Sequence, residues 1–494
     1  MATVLATPGV YIEEKSAFSS SVVPVATAVP AFIGYTQKAA RGTKSLRNVP
    51  TRIKSFAEFE QLFGGAPKTK FNLGTDGSLE VVAETRFLLH SSMRFYFANG
   101  GADCYIVSIG DYTAGVNAKD FNDLATESGL PTLLKYVEPT LLVAPEAVLL
   151  SEADCFSLQQ AMVQHCGFEM RNRFAVLDVY NGDKKRTYDD EDVINRFRGG
   201  VGANHLQWAA AYYPFVKTTV VSSSEVDFTN VANLDGLAAF LTEEVASDLA
   251  SGRINPARAE AIKAEVAKVT TATTAEVGSL QSTLKTISPR LNGILADMAD
   301  FLNVLPPSAG MAGIYAMVDS SINVAKAPAN VSLGSVVAPA VQITSDDQEE
   351  LNLPLNGKAV NAIRSFMGKG VLVWGARTLD GNSQDWRYIS VRRTMTFLEQ
   401  SIKFAAEAYV FEPNNATTWS TLKATVNNFL VNQWQSGLLA GQSPDDAFSV
   451  TIGLGSTMTP NDILDGVLRM TIKVAITRPA EFIVITFEQQ QQKS

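Results

Sequence analysis

Cysteine, histidine and charge are all scarce in this chain, and each shortage excludes something. Three cysteines in 494 residues, Cys104, Cys155 and Cys166, are too few and too scattered for a disulfide framework, so reduced thiols are expected. The three histidines, His90, His165 and His205, share no ligand spacing. Cys155, His165 and Cys166 form one Cys/His group, but without the CxxC spacing of a zinc knuckle they read as packing residues. Charged residues make up 18%, with a net charge of −9, which argues against nucleic acid, a partner that needs a clustered basic surface. No apolar run approaches the roughly 20 residues that span a bilayer. The most apolar segment, 141–150, contains Pro145 and Glu146 and reads as a core strand. The N-terminus lacks a basic region followed by an apolar one, so no secretory signal is expected.

Catalytic motifs are also missing. Gly357-Lys358 and Gly368-Lys369 lack the earlier glycine and the following Ser or Thr of a phosphate-binding loop. There is no GxSxG and no HExxH. Asp346, Asp347, Glu349 and Glu350 form an acidic group in an expected loop, more in keeping with a solvated face than a metal site. Arg377, Arg387, Arg392 and Arg393 gather around Trp374 and Trp386; such a group binds phosphate or carboxylate, or stacks against itself, and the second reading is preferred. No cofactor and no metal are expected.

What the chain does have is alternating helix and strand chemistry after Ala31. Phe56–Phe63 has helical apolar spacing between Ser55 and Gly64-Gly65. A second helix is expected over Leu79–Phe97, stopped at Asn99-Gly100-Gly101, then a strand from Cys104. A helix over Ala153–Cys166 leads to a buried strand, Arg173–Val179. From Val277 to Leu305 apolar residues step by three and four, a heptad seam that Pro289 kinks or splits. The seam closes either a helical hairpin within one chain or a contact between chains, and the hairpin is preferred. The stretch 309–358 reads as loop-rich with short strands, Val371–Gly375 as a strand, and Tyr388–Phe411 and Thr417–Ser436 as helices.

The two ends stand out. Residues 16–29 are small, β-branched and nearly uncharged around Pro24, suiting an extended arm better than a disordered tail. At the other end Leu468, Met470, Ile472, Val474 and Ile476 alternate with polar residues, the period of a half-buried strand. After Arg478-Pro479 comes EFIVITF, 481–487, apolar on both faces. Such a strand is a hazard for a solitary protein, since it offers unpaired backbone and apolar side chains to any neighbour.

Several phrases in order carry a resemblance. They are Pro8-Gly9-Val10-Tyr11-Ile12-Glu13-Glu14, Phe97-Ala98-Asn99-Gly100-Gly101, Arg173-Phe174-Ala175-Val176-Leu177-Asp178, and Pro306-Pro307-Ser308 through Gly313-Ile314-Tyr315-Ala316 to Lys326-Ala327-Pro328-Ala329-Asn330. Trp374-Gly375-Ala376-Arg377-Thr378, Trp386-Arg387-Tyr388-Ile389, Phe411-Glu412-Pro413-Asn414 and Arg478-Pro479-Ala480-Glu481-Phe482 follow. Together they resemble the contractile tail sheath family of bacteriophages, pyocin-like particles and extracellular contractile injection systems. Two departures stand out: Phe411 occupies a position where that family often has histidine, and the helical section has no counterpart in its shortest members. One chain holds both terminal phrases, unlike the two-chain sheaths of type VI secretion.

The resemblance implies a mixed α/β, multidomain protein. Residues 1–30 would be an N-terminal arm and strand, 31–222 an outer α/β domain, 223–305 a helical insertion, and 306–494 an inner domain with a C-terminal strand arm. It implies a non-enzymatic structural subunit that polymerises helically around an inner tube and contracts to drive the tube through a membrane. Val10, Tyr11, Ile12, Glu13 and Glu14 and then Phe482, Ile483, Val484, Ile485, Thr486 and Phe487 would pair with strands of neighbouring subunits. Asn461, Asp462, Asp465, Arg469 and Lys473 are candidates for polar contact with the tube. Implied partners are many copies of itself, paralogous sheath proteins, an inner tube protein, and baseplate and terminal cap proteins, with no nucleic acid and no membrane insertion. Assembly in the bacterial cytoplasm is implied, into a phage tail or a released particle; the inserted helices favour an extracellular injection system. Against this stand an α/β enzyme or ligand-binding protein, and a surface-array protein polymerising by strand exchange.

Overall fold

The computed structural model describes residues 22–484. They fall into two compact units, one of Ala26–Thr396 with the chain from Arg478, the other of Phe397–Thr477 with the chain up to Val25.

The larger unit is built on nine strands: β1 (Pro30–Tyr35), β2 (Thr51–Ile53), β3 (Cys104–Gly110), β4 (Leu141–Val143), β5 (Phe174–Asp178), β6 (Ala209–Tyr213), β7 (Val331–Ser332), β8 (Asn361–Phe366) and β9 (Gly370–Val373). Their order across the sheet is β7-β9-β8-β6-β5-β4-β1-β3-β2. The run from β8 to β3 is parallel, while β2, β7 and β9 are antiparallel to their neighbours. Because side chains alternate across a strand, Ala31, Ile33 and Tyr35 enter one apolar core with Val107, Leu142 and Leu177. Phe32 enters a second core with Ile106, Val143 and Val176. Both faces are covered, as a parallel sheet requires.

Helix α1 (Phe56–Phe63) matches its sequence signals. Ser55 Oγ accepts from the Glu58 amide, and Gly64, at φ +88°, ends it. The expected helix from Leu79 is corrected. Leu79–Val81 pairs as a strand with Phe71–Leu73, and the helix, α2, spans only Leu89–Ala98. Its start is set from elsewhere in the chain: the buried Glu146 carboxylate accepts from the amides of Leu88 (2.8 Å), Leu89 (3.0 Å) and Tyr35 (2.8 Å). The same residue explains a second correction. The strand expected over 141–150 stops at Val143, and Pro145 opens a single 3-10 segment to Leu149 that turns Glu146 inward. Helix α3 (Glu152–Gln164) follows, capped by Ser151.

The section 223–305 forms α4 (Leu234–Ala250), α5 (Pro256–Ala267), α6 (Val277–Ile287) and α7 (Pro289–Leu302). Pro289 is the first residue of α7, so the seam is split, at a position where a missing amide costs nothing. Leu280, Leu284, Leu291, Ile294 and Met298 are buried with Leu237, Leu241 and Val266, so the seam closes within one chain.

The expectation for 309–358 holds for its short strands, β7 and Val336–Pro339, and is corrected at both ends, where α8 (Ser308–Ser321) and α9 (Ser345–Asn352) form. Ser308 through Ala316 are all buried, so the helix has no polar face over its first turns and hence no amphipathic period to read. Small residues are needed there: a Cβ on Gly310 would meet Phe95 Cε1 at 2.3 Å, and one on Gly313 would meet Tyr96 O at 2.6 Å. Buried Asp178, at the end of β5, accepts from the Ser308 amide at 2.8 Å and from its hydroxyl. The acidic group lies on α9 and not in a loop. Thr344 and Asp347 form its capping box, and Glu350 pairs with Arg186 and Arg198. The division expected at residue 306 also differs from the compact units, because β7, β8 and β9 hydrogen-bond into the sheet begun by β1.

Helix α10 (Ile389–Glu407), shorter than the expected 388–411, begins in the larger unit and ends in the smaller. The smaller unit adds α11 (Ala416–Gln435), the antiparallel pair β10 (Phe448–Ile452) and β11 (Met470–Val474), and the short α12 (Pro460–Leu464). Leu422, Val426, Phe429 and Leu430 are the buried stripe of α11. Along β11, Met470, Ile472 and Val474 are half-buried while Thr471 and Lys473 are exposed, as the alternation predicts.

Candidate assembly surface

The arginine-rich stretch 377–393 fastens both ends of the described chain within the larger unit. Arg377, 1% exposed, donates from Nε to Glu481 Oε1 at 3.0 Å and from Nη2 to Oε2 at 2.6 Å. Tyr388 Oη donates to Glu481 Oε2 at 2.9 Å and Asn352 Nδ2 to Oε1 at 2.6 Å. Four charge-assisted bonds hold the carboxylate below its ordinary range despite partial burial, which opposes them. At the other end, Arg393 Nη2 donates to Thr27 O at 2.9 Å, while its Nη1 reaches Asp319 Oδ1 at 3.1 Å. Thr140 Oγ1 also donates to Thr27 O, at 2.9 Å, and accepts from the Val29 amide at 2.8 Å.

Stacking fills out the stretch. The Arg392 guanidinium lies 4.2 Å from the Trp208 ring centre and 4.4 Å from that of Trp386, and Arg393 lies 4.7 Å from that of Tyr315. The preferred reading, stacking and burial, holds for Arg392. The fastening of the chain ends by Arg377 and Arg393 was not legible. The available signal was the glutamate inside an otherwise apolar terminal run, which called for a cation.

Immediately past this clamp, Phe482, Ile483 and Val484 are 68%, 79% and 88% exposed and belong to no strand. Three consecutive exposed apolar residues are unusual on a surface that has no use for them. The run 481–484 is therefore no partner of β11, which pairs with β10 instead. Ile485, Thr486 and Phe487, like Val10, Tyr11, Ile12, Glu13 and Glu14, lie outside the described residues.

The smaller unit offers the complementary feature. Its sheet has two strands only, so among the described residues β10 and β11 each keep one edge without a backbone partner. An isolated two-stranded ribbon is marginal in water, and its edges are templates for further strands. Nearby in sequence are the tube-contact candidates. Asp462 is occupied twice, closing the capping box of α12 with Thr459 and accepting from Arg469 Nε at 3.1 Å. Asn461, Asp465 and Lys473 are exposed.

The thiols and His165 lie inside the fold, away from solvent. Cys104, Cys155 and Cys166 are buried free thiols, and burial raises all three well above the ordinary range. His165 sits between Glu169 (3.0 Å) and Arg173 (3.1 Å), its pKa pushed down to about 3 by burial and by the guanidinium. No group of three or more His, Cys, Asp or Glu among the described residues is placed to hold a metal, and no described helix is long and apolar enough to cross a membrane.

Comparison with known proteins agrees with this geometry. Residues 382–490, which include Arg393, Glu481 and the two-stranded sheet, match the phage tail sheath C-terminal domain. The tail sheath protein of Vibrio phage KVP40 is 22% identical over 184 residues, 37% of this chain and 26% of that relative. The sheath of the PVC extracellular contractile injection system in its contracted state is 29% identical, covering 99% of each chain at a TM-score of 0.61. The contracted helical sheath of the anti-feeding prophage is 29% identical, covering 99% of this chain and 100% of that one at a TM-score of 0.62. The chain thus carries a segment that matches the tail sheath C-terminal domain and is similar along its whole length to two sheaths solved in the contracted state.

Proposed function

We propose that this protein is the structural subunit of a contractile sheath, polymerising helically around an inner tube and shortening to drive that tube through a target membrane. The observation that carries this reading is the pairing of features just described: apolar residues held out beyond the Glu481 clamp, and a two-stranded sheet whose outer edges have no strand partner among the described residues. Each is a liability in a monomer and each is relieved when the terminal arms of neighbouring copies add strands to the sheet. The arms then stay connected while rigid bodies move, and the work comes from the difference between two packings of the same subunits, with no nucleotide consumed.

The device is an extracellular injection system. The relative with that description aligns along the whole chain at 29% identity, whereas the phage relative aligns over 184 residues at 22%. Partners under this reading are an inner tube, a baseplate and a terminal cap; a relative from the anti-feeding prophage baseplate is 28% identical over 99% of this chain. Negative-stain microscopy of the purified chain tests the proposal. Hollow helical tubes are expected, and stable monomers at high concentration would overturn it. Deleting residues 1–15 is expected to leave a folded monomer that no longer forms tubes.

A further inference from the structure

We propose that the cleft where the helical section 223–305 joins the sheet-bearing unit is a binding site for a small tetrahedral oxyanion of the phosphate or sulfate class. The cavity there measures about 200 Å³ and is lined by Lys68, Arg86, His90, Arg94, Glu225 and Phe301, among others. That is room for one such ion together with several waters, given about 30 Å³ per water.

Two of its cations are already matched. Arg94 Nη1 donates to both oxygens of Glu225, at 2.7 and 2.8 Å, and Lys68 Nζ lies 3.1 Å from Asp227. The third is not. The guanidinium of Arg86 stacks 4.6 Å from the Phe301 ring centre and makes no hydrogen bond or ion pair with any described residue. Asp183 acts on it only from a distance, and burial pulls its pKa down, the signature of a charge without a counter-ion. A half-buried arginine with an empty fork of donors suits a planar face of a tetrahedral anion.

His90 and Ser91 line the same cavity. His90 is 1% exposed, its Nε2 3.4 Å from Glu60, and its Nδ1 is buried with nothing to bond. The cleft also receives the first turn of α2, whose N-cap, Leu88, supplies no side-chain hydrogen bond. Glu146 occupies the amides of Leu88 and Leu89, but those of His90 and Ser91, which follow in the same turn, have no acceptor among the described residues. Free amides at a helix N-terminus attract anions, and here their residues line one cavity with Arg86. The anion would tie α2 to Arg86, which stacks on Phe301 of α7, fixing the helical section on the sheet-bearing part.

Calorimetric titration of the full chain with sodium phosphate and sodium sulfate, against sodium chloride at equal ionic strength, tests this. Saturable binding of the oxyanions and none of chloride is expected, with R86Q weakening it by at least about tenfold, the value of a lost charged hydrogen bond. R86K, which keeps charge and stem, is expected between the two. Hydrogen exchange of the wild type locates the site without any variant: phosphate should slow the amides of His90 and Ser91. Absence of saturable binding, unchanged exchange at those amides, or full affinity in R86Q would each overturn the proposal.

Discussion

Arg377 closes on Glu481 across 104 positions of sequence, guanidinium and carboxylate meeting edge to edge at 2.6 and 3.0 Å. The arginine is buried and the glutamate mostly so. Removing one member leaves the other charge without compensation, which costs about 3 kcal/mol or more. E481A is therefore expected to lower the urea midpoint clearly and to reduce tube formation. The double variant E481A/R377M is expected to recover part of the stability, because no orphan charge remains. If E481A unfolds at the wild-type midpoint, the clamp contributes nothing.

Three carboxylates give the protein opposing responses to pH. Glu481 is depressed, so its contribution is present above its unfolded value, about 4.3, and is lost as pH falls through the lower folded value. Glu146 and Asp178 are pushed up to about 7 by burial, which outweighs the hydrogen bonds they accept. For a raised carboxyl the sign reverses: its contribution is complete below the unfolded value and is lost as pH rises through 7. Urea midpoints are thus expected to decline from pH 5 to pH 8, with a slope of up to about 1.4 kcal/mol per pH unit for each group. D178N keeps an acceptor for the Ser308 amide and a donor for its hydroxyl, so it should fold and flatten that slope. An equal slope in D178N would remove Asp178 from the account.

Phe482, Ile483 and Val484 are exposed in the single chain, so charging them should not harm it. F482D and V484D are expected to leave circular dichroism and thermal midpoint unchanged while abolishing tubes. Burial of an apolar side chain contributes about 2 kcal/mol, and each subunit of a lattice would lose it. Tubes that form normally from V484D would mean that the terminal run takes no part in assembly.

Much of the fold was legible wherever local chemistry decided it. Ser55 and Gly64 bound α1, Pro289 divides α6 from α7, and the alternation along 468–476 is that of β11. It failed where a distant residue decides. Glu146 delays the start of α2, and it acts from a segment 57 to 58 positions downstream that itself read as strand. Helix α8 was invisible because burial on all sides erases periodicity. The assembly surface was half legible: an apolar end with two faces announces a partner, but that Arg377 and Arg393 hold the roots of both chain ends depends on contacts spanning 104 and 366 positions.

The tube-contact candidates divide by what the fold already asks of them. Asp462 caps α12 and holds Arg469, so its replacement would disturb the unit and reveal little about the tube. Asp465 and Lys473 are exposed and make no ion pair with any described residue, which suits a surface that must grip and then release. Reversing their charges, D465K and K473E, is expected to leave thermal midpoint and empty-sheath assembly unchanged while weakening co-assembly with the inner tube protein. The defect should shrink as salt rises, since charges in water are screened beyond about 8 Å at physiological ionic strength. Co-sedimentation of sheath and tube across a salt series reads this directly. Wild-type recovery of tube by both variants at low salt would move the contact elsewhere on the subunit.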